Sequence, residues 1–139
     1  MADTRVLVEL RHPAARMPRK AHPSDACFDL TSPEAHTIPP GATATIDVGL
    51  ALQLEEGWEA QVRGRSGLAS RGHVVHPGTV DHLYRHNLKV VVHNLSQDPW
   101  VVRPGDRIAQ MKISRVWEVQ MEQAAVQTTG RGGLGSTGR

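Results

Sequence analysis

Thirteen glycines and nine prolines are spread over the 139 residues of this chain, and they constrain its fold more than any other feature. Both residue types interrupt helices and form tight turns, so they favour many short strands over a few long helices. Between two turn signals, the segment 42–54 alternates polar and apolar residues with the period of two of a half-buried strand. We therefore predict an all-β domain, a sandwich or a barrel.

Short apolar segments between the turn signals predict further strands. They lie at 5–10, 28–30, 58–62, 73–76, 88–94, 100–102 and 107–116, and we expect residues 82–85, just after Asp81, at the tip of a hairpin. The segment 67–71 is the best place for a single helical turn, which Ser66 would cap and Gly72 would end. We divide the chain into a β-domain, 1–126, and a glycine-rich arm, 127–139, which is either flexible or ordered over a ligand.

The charge pattern predicts no nucleic-acid partner. The formal net charge is +2 and the basic residues are scattered, whereas nucleic-acid binding usually shows a block or stripe of Lys and Arg. The one cysteine, Cys27, allows no intrachain disulfide and no thiolate metal cage, so the sequence is compatible with a reducing compartment. Because no apolar stretch is long enough for a signal peptide or a membrane span, we expect a cytoplasmic protein without membrane contact.

Four segments are unusually polar and glycine-rich, and they are candidates for chemistry. They lie at 25–30, 64–69, 78–85 and 130–138, and a more ordinary fifth lies at 105–110. Taken alone, each has a plain structural explanation: a turn, a capping serine, a surface carboxylate or a flexible end. The eight histidines are dispersed without ligand spacing, so they predict no metal site.

Taken together, these segments predict a triphosphate site. Arg65 and Ser66, at the start of a helical turn, can bind phosphate through side chains and free N–H groups. The terminal Gly-Ser-Thr run can wrap phosphates with backbone amides. Asp29 can hold Mg²⁺, a hard ion that bridges phosphate oxygens, and Asp81 is then left as a base for a hydrolytic water.

The order and spacing of the segments resemble the five motifs of the trimeric dUTPases (dUTP nucleotidohydrolases) over about residues 7–138. Arg65-Ser66-Gly67-Leu68-Ala69 and 105–110 match their motifs in full, and 78–85 matches at the chemically important positions. The resemblance implies a jelly-roll-like distorted β-barrel that forms a homotrimer, with each active site built from all three chains. It also implies Mg²⁺-dependent hydrolysis of dUTP to dUMP and pyrophosphate, which keeps uracil out of DNA and supplies dUMP for thymidylate synthesis.

The resemblance also assigns a role to individual residues. Asp81 would orient and deprotonate the water that attacks the α-phosphorus, and Asp29 would hold Mg²⁺ through water. Tyr84 would pack under the deoxyribose and exclude a 2′-hydroxyl. The other substrate-binding residues would be Gly78, Thr79, Val80 and Lys89 for the nucleoside, Arg65, Ser66, Gly67 and Gln110 for the phosphate chain, and Arg131, Gly133, Leu134, Gly135, Ser136 and Thr137 for closure by the arm.

The sequence departs from the family pattern in three motifs. Cys27 and His86 stand where the family usually has glycine. In the arm, Thr129 replaces an arginine that grips the γ-phosphate, and Leu134 replaces a phenylalanine that covers the uracil. Our hypothesis is that Arg131, two residues further on, takes over the role of the missing arginine.

Two alternative functions remain open at this stage. The departures at Thr129 and Leu134 are compatible with a dUTPase-like nucleotide-binding or regulatory protein with weakened catalysis. A relative of the dCTP deaminases would share the fold but would need a glutamate base. The segment 78–85 offers Asp81 and no glutamate, so this alternative is the weaker one.

Overall fold

The computed structural model of the protein describes residues 1–135, and this part of the chain is built almost entirely of strands. The elements in chain order are β1 (Leu7–Leu10), β2 (Phe28–Thr31), β3 (His36–Ile38), β4 (Thr43–Asp47), β5 (Leu50–Gln53), β6 (Trp58–Arg63), α1 (Ser66–Ala69), β7 (His73–Val75), β8 (Gly78–Val80), β9 (Lys89–Asn94), β10 (Trp100–Val102) and β11 (Arg107–Arg115). The prediction of an all-β domain with one short helical turn is confirmed. Among residues 1–135, no helix has the length and apolar character needed to cross a bilayer.

The strands form two larger antiparallel sheets and two smaller pairs. The larger sheet has the order β2-β11-β6-β8, and the second has the order β4-β9-β7. β1 pairs with β5, and β3 pairs with β10. The last strand in the sequence, β11, therefore lies inside the larger sheet, between strands from the first half of the chain.

The hydrophobic core takes side chains from both larger sheets and from the two smaller pairs, and it explains the alternation along β4. Along β4 and just after it, Ile46 and Val48 are buried while Thr45 and Asp47 are exposed. On β9, the neighbouring strand of the same sheet, Val90 and Val92 are also buried. Period-two burial of branched side chains thus ties this sheet to the core.

The segment 42–54, predicted as one strand, forms two strands that separate at Gly49. This glycine has a φ of +76°, which residues with a side chain adopt only at a cost, and the chain turns there. Before the turn, β4 pairs with β9; after it, β5 pairs with β1. The alternation continues across the turn, so the pattern alone did not reveal the change of partner.

The structure corrects two further local predictions. Ser66 was expected to cap the helical turn, but the N-cap is Arg65, which makes no side-chain capping bond, and Ser66 is the first helical residue. The segment around Asp81 was expected to form a hairpin. In the described chain, β8 pairs with β6 whereas β9 pairs with β4 and β7, so the loop between them passes from one sheet to the other.

The chain after β11 has a different character from the rest. Residues 116–135 form neither strand nor helix, and all of them are exposed. The large apolar side chains among them include Trp117, which is 74% exposed, and Met121, which is 89% exposed. The boundary of the arm at residue 127 stays a prediction.

Replacing Gly49 by alanine is expected to destabilise the fold by about 2 kcal/mol or more, because an alanine would be strained at this positive φ. Its Cβ would also lie 2.8 Å from Cβ of His12. Gly57→Ala is the matched control: its φ is +88°, but no atom lies within 4 Å of the new Cβ. Equal losses of free energy of unfolding for the two variants, measured with denaturant, would contradict the close packing at Gly49.

Candidate active site

Neighbouring strands bring three of the polar segments together at one face of the larger sheet. Asp29 on β2 lies opposite Gln110 on β11, and Gln110 lies opposite Arg63 at the end of β6. Arg63 leads directly through Gly64 to Arg65 and helix α1. The Gln110 side chain fixes this connection, because its Nε2 donates a hydrogen bond of 2.9 Å to the carbonyl of Gly64.

A β-bulge in β11 sets the direction of two of these side chains. Residues three apart on a regular strand, such as Arg107 and Gln110, point to opposite faces of the sheet. The register between β2 and β11 shifts between Arg107 and Ala109, so that Arg107 lies opposite Thr31 and Gln110 lies opposite Asp29. Since directly opposed residues share a face, the extra residue turns Arg107 and Gln110 to the same side as Asp29.

These residues line a cleft of about 640 Å³, which we call the anion cleft. The Asp29 carboxylate lies between two guanidinium groups, at 3.8 Å from Nε of Arg65 and 3.6 Å from Nη1 of Arg107. Arg65 Nη1 also donates to the carbonyl of Arg107 at 3.3 Å. The full lining comprises Ala21, Asp25, Ala26, Cys27, Asp29, Arg65, Ser66, Gly67, Leu68, Arg71, Arg107 and Gln110. Three arginines against two aspartates make the cleft suitable for a small anion.

The anion cleft fits Mg²⁺ only in the presence of a polyphosphate. Residues 1–135 contain no group of three or more His, Cys, Asp or Glu side chains that could hold a metal. Asp25 and Asp29 are the carboxylates that line the cleft, and the carboxylate of Asp29 already lies beside the guanidinium groups of Arg65 and Arg107. Mg²⁺ is commonly held by one or two carboxylates together with waters and substrate phosphates, and one aspartate beside an anion site meets that requirement.

A second depression, the Tyr84 pocket, has a different chemical character. It has a volume of about 240 Å³ and is lined by Val62, Gly78, Thr79, Val80, Tyr84, Leu88 and Lys89. β8 is an edge strand of the larger sheet, so one row of its N–H and C=O groups has no strand partner in the described chain. A flat polar ligand can therefore pair with the backbone of β8 while its apolar part enters the pocket.

Asp81 and Tyr84 are fixed by the turn that follows β8. The Tyr84 N–H donates to the carbonyl of Asp81 at 3.0 Å, and the Tyr84 hydroxyl donates to the carbonyl of Asn87 at 2.9 Å. The Asp81 carboxylate is exposed at the end of β8. It is thus free to approach a ligand that lies along the strand.

The structure brings together some of the predicted site residues and separates others. Asp29, Arg65, Ser66, Gly67 and Gln110 share the anion cleft, whereas Gly78, Thr79, Val80, Tyr84 and Lys89 share the Tyr84 pocket. Within residues 1–135, the two depressions have no lining residue in common. Asp81 lines neither of them, and neither do Arg131, Gly133, Leu134 and Gly135, which are exposed; Ser136 and Thr137 lie outside the described residues.

Sequence reasoning missed two of the cleft arginines. Arg107 belongs to the matched segment 105–110, but its contact with Asp29 depends on the bulge, which the sequence pattern does not specify. Arg71 lies just beyond helix α1 and also lines the cleft. The signal that could have indicated Arg71 is its position in the first turn after the helix that begins at Ser66.

A third cavity borders the anion cleft on the side of β7 and β10. Its volume is about 400 Å³, and it shares Arg65, Arg71 and Arg107 with the cleft. The His73 ring stacks on Trp100 with centroids 4.3 Å apart and planes at 4°. Nδ1 of His73 is buried and has no hydrogen-bond partner among residues 1–135. Removal of the ring from water, and then the positive charge of Arg71, hold the pKa of His73 below its usual value.

Comparison with known sequences identifies a family that covers nearly the whole chain. Residues 14–138 match the family described as dUTPase. A deoxyuridine 5′-triphosphate nucleotidohydrolase of Solibacter usitatus is 40% identical over 141 residues, with 96% of each chain covered. The corresponding protein of Wolinella succinogenes is 42% identical over 134 residues, covering 92% of this chain and 90% of its own. The resemblance inferred from the sequence motifs is confirmed.

Solved structures show the same fold. The dUTPase of Staphylococcus bacteriophage 80alpha, solved with dUPNHPP, has a TM-score of 0.87 and 26% identity, with 97% of this chain and 99% of that chain covered. A mutant dUTPase from phage phi11 of S. aureus, whose structure shows the coordination of a structural Mg(II) ion, has a TM-score of 0.80, covers 86% of this chain and 96% of its own, and is 24% identical. The second likeness concerns the fold alone. The predicted dUTPase-type β fold is confirmed.

Acidification is expected to destabilise the folded chain through His73. Its pKa is lower in the folded chain than the value of 6.5 expected for an unfolded one. As the pH falls below that value, the unfolded chain therefore binds the proton first and the free energy of unfolding decreases. The variant His73→Phe keeps a ring on Trp100 but cannot bind the proton. We expect its stability, measured by denaturant unfolding from about pH 8 to pH 5, to decrease less than that of the wild type.

The exposed His22, changed to phenylalanine, is the matched control and should retain the pH dependence of the wild type. Parallel pH profiles for the wild type and His73→Phe would show that His73 does not take part.

Proposed function

Because this chain belongs to the dUTPase family, we propose that it hydrolyses dUTP to dUMP and pyrophosphate by attack of water on the α-phosphorus. The observation that carries the proposal is the presence of two depressions with complementary chemistry. The anion cleft, with its three arginines, suits a triphosphate. The Tyr84 pocket, beside an edge strand, suits a base and its sugar.

Recognition of the nucleoside is assigned to β8 and the turn that follows it. The free backbone row of β8, from Gly78 to Val80, pairs with the uracil edge, and a pocket of about 240 Å³ leaves little room for additional groups. Cytosine would present a donor where the strand needs an acceptor, and buried polar groups left unpaired discriminate strongly. Tyr84 packs under the deoxyribose, and Lys89 lines the same pocket.

Asp81 is assigned to the attacking water. A carboxylate is a weak base near neutral pH, so its contribution depends on holding the water in line with the phosphorus. The hydrogen bond from the Tyr84 N–H to the Asp81 carbonyl holds the catalytic carboxylate of Asp81 and the ring of Tyr84, which we call the sugar platform, in one rigid turn. A bound nucleoside therefore determines where the α-phosphorus lies relative to the carboxylate.

The phosphate chain is assigned to the anion cleft. Arg65, Ser66 and Gln110 contact its oxygens, and Arg107 adds a further positive charge. Mg²⁺, with Asp29 holding one of its waters, would neutralise charge on the triphosphate and on the departing pyrophosphate. A bound triphosphate would draw Arg65 and Arg107 away from Asp29, and that carboxylate would then be available to hold Mg²⁺ through water.

The arm is assigned to closure of the site. Glycine amides at 133 and 135, with the hydroxyls of Ser136 and Thr137, would bind the γ end of the triphosphate. Arg131 would take the role of the arginine that is absent at Thr129. Leu134 would cover the uracil by dispersion contacts, without aromatic stacking.

We assign the complete site to a homotrimer, and two observations support this. The anion cleft and the Tyr84 pocket share no lining residue within residues 1–135, so a triphosphate and its nucleoside call for surfaces of different chains. Residues after β11 also expose apolar side chains, among them Trp117, Val119 and Met121, which a neighbouring chain would cover.

The single cysteine suits the reducing cytoplasm, where we place the reaction.

A nucleotide-binding or regulatory protein with weakened catalysis is the second candidate. The observation that favours it is the absence of the usual arm arginine and aromatic residue at Thr129 and Leu134. Such a protein would bind dUTP through the same two depressions but would release little pyrophosphate.

The purified protein with Mg²⁺ is expected to release pyrophosphate from dUTP and not from dTTP, dCTP or UTP. Asp81→Asn is expected to lower kcat by about a hundredfold or more while binding of dUPNHPP is kept, because the amide cannot accept the proton of water. The exposed Asp98, whose side chain makes no hydrogen bond within residues 1–135, provides the control Asp98→Asn with normal turnover. Near-normal kcat in Asp81→Asn would refute the mechanism, and tight dUTP binding without turnover in the wild type would favour the second candidate.

Mixing two inactive variants tests the sharing of the site between chains. Asp81→Asn and Arg65→Ala are each expected to be nearly inactive alone. If a site takes Asp81 from one chain and Arg65 from another, random trimers formed from equal amounts would contain intact sites and recover about a quarter of wild-type activity. Recovery is measured after co-refolding, with the trimer verified by sedimentation. No recovery from mixed trimers would place both residues in the same chain's site.

A further inference from the structure

A closed ring of hydrogen bonds joins the loop after β8 to the turn at Gly49. Asn87 Nδ2 donates to both carboxylate oxygens of Asp47, at 3.2 Å each. Asp47 Oδ1 accepts the N–H of Gly49 at 2.8 Å, and the N–H of Arg11 donates to the carbonyl of Gly49 at 2.7 Å. Arg11 Nη1 completes the ring by donating to Oδ1 of Asn87 at 3.2 Å.

The chemistry of residue 87 matches both of its neighbours. An asparagine offers an acceptor to the guanidinium of Arg11 and a donor to the carboxylate of Asp47, so both sides of the amide are used. An aspartate at the same position would face Asp47 with a second negative charge. An alanine would remove both bonds and open the ring.

The ring holds a loop that has few other anchors. The residues between Asp81 and Asn87 are mostly exposed, so burial does little to fix their conformation. Arg11 Nη1 donates to the carbonyl of Arg85 at 3.0 Å, which ties the loop at a second point. The carbonyl of Asn87 itself accepts the Tyr84 hydroxyl at 2.9 Å. The peptide that receives the tyrosine is thus the one whose side chain is held by the ring.

We propose that Arg11 and Asn87 are positioning residues that fix Tyr84 and thereby set the preference for a deoxyribose over a ribose. This inference rests on the proposed function, in which Tyr84 packs under the sugar. Arg11 comes from the end of β1 and Asp47 from the end of β4, so the sugar platform is braced by strands outside the sheet that contains β8. When the ring opens, the tyrosine can withdraw and leave space for a 2′-hydroxyl.

The ratio of kcat/KM for dUTP to kcat/KM for UTP measures this preference. In Asn87→Ala and in Arg11→Ala we expect the ratio to fall about tenfold, mainly through a higher KM for dUTP, because the displaced platform no longer fits the deoxyribose. The double variant should lose little more than either single variant, since both open the same ring. Arg11→Lys, which retains the charge and one donor direction, should recover part of the ratio.

Glu9→Gln is the matched control. Glu9 accepts a hydrogen bond from Nε of Arg11 at 2.6 Å, on the side of the guanidinium that does not contact the loop. The substitution removes the negative charge beside the same arginine but leaves the hydrogen bonds from Arg11 to Arg85 and Asn87 intact. The dUTP-to-UTP ratio of this variant should equal that of the wild type.

Tyr84 is the only tyrosine of the chain, and this permits a readout that does not depend on turnover. In protein labelled at tyrosine, the ring gives a single set of NMR signals. Asn87→Ala and Arg11→Ala should shift or broaden these signals, whereas Glu9→Gln should not. Circular dichroism verifies that each variant is folded. If an alanine variant does not fold, Arg11→Lys is measured in its place.

The possible outcomes separate this inference from the proposed function. If the wild type hydrolyses dUTP selectively and folded ring variants keep both the ratio and the Tyr84 signals, the positioning role is wrong and the function stands. If the wild type does not hydrolyse dUTP, the proposed function is wrong, and the Tyr84 signals then decide the positioning role: unchanged signals in folded ring variants would overturn it. A lower ratio together with changed Tyr84 signals, absent in Glu9→Gln, supports the positioning role.

Discussion

The bulge between Arg107 and Ala109 is the constraint on which the anion cleft depends. A regular strand would turn Arg107 and Gln110 to opposite faces, and only one of them could meet Asp29. With one extra residue in β11, both lie on the Asp29 face, and Ile108 and Ala109 can be buried in succession on the core side. The charge cluster and the core packing are thus two results of the same irregularity.

The described chain holds the parts of a nucleotide site without joining them. Positive charge is concentrated in the anion cleft, where Asp29 is paired with Arg65 and Arg107. The Tyr84 pocket lies along the edge of the same sheet but shares no lining residue with the cleft within residues 1–135. In the homotrimer that we propose, symmetry would bring these two surfaces face to face.

The sequence predicted the features that depend on local chemistry. The alternation of burial is seen along β4 and the helical turn is seen after Arg65, because side-chain period and turn residues act over a few positions. Along β5 the alternation of burial is lost, because Leu50, Ala51 and Leu52 are all buried. The change of strand partner at Gly49 was not predictable, because the alternation in the sequence continues through it.

Features that depend on distant partners were also missed. β3 is only three residues long and is defined by its pairing with β10, about 64 positions away along the chain. The position of β8 at a sheet edge, and not in a hairpin, likewise depends on β6. The contact of Arg107 with Asp29 follows from a shift of register, and the residue types in 105–110 do not indicate that shift.

The place of β11 in the larger sheet has a consequence for how the chain matures during synthesis. In the described chain β2 has β11 as its only strand partner, and β6 can pair with β8 but leaves its other edge open until the ribosome produces β11. Until then the nascent protein carries unpaired strand edges. The sheet forms only through contacts between residues that are far apart in the sequence, and such contacts form slowly. A ribosome that stalls before residue 107 would therefore release a product with no anion cleft and with exposed edges open to aggregation.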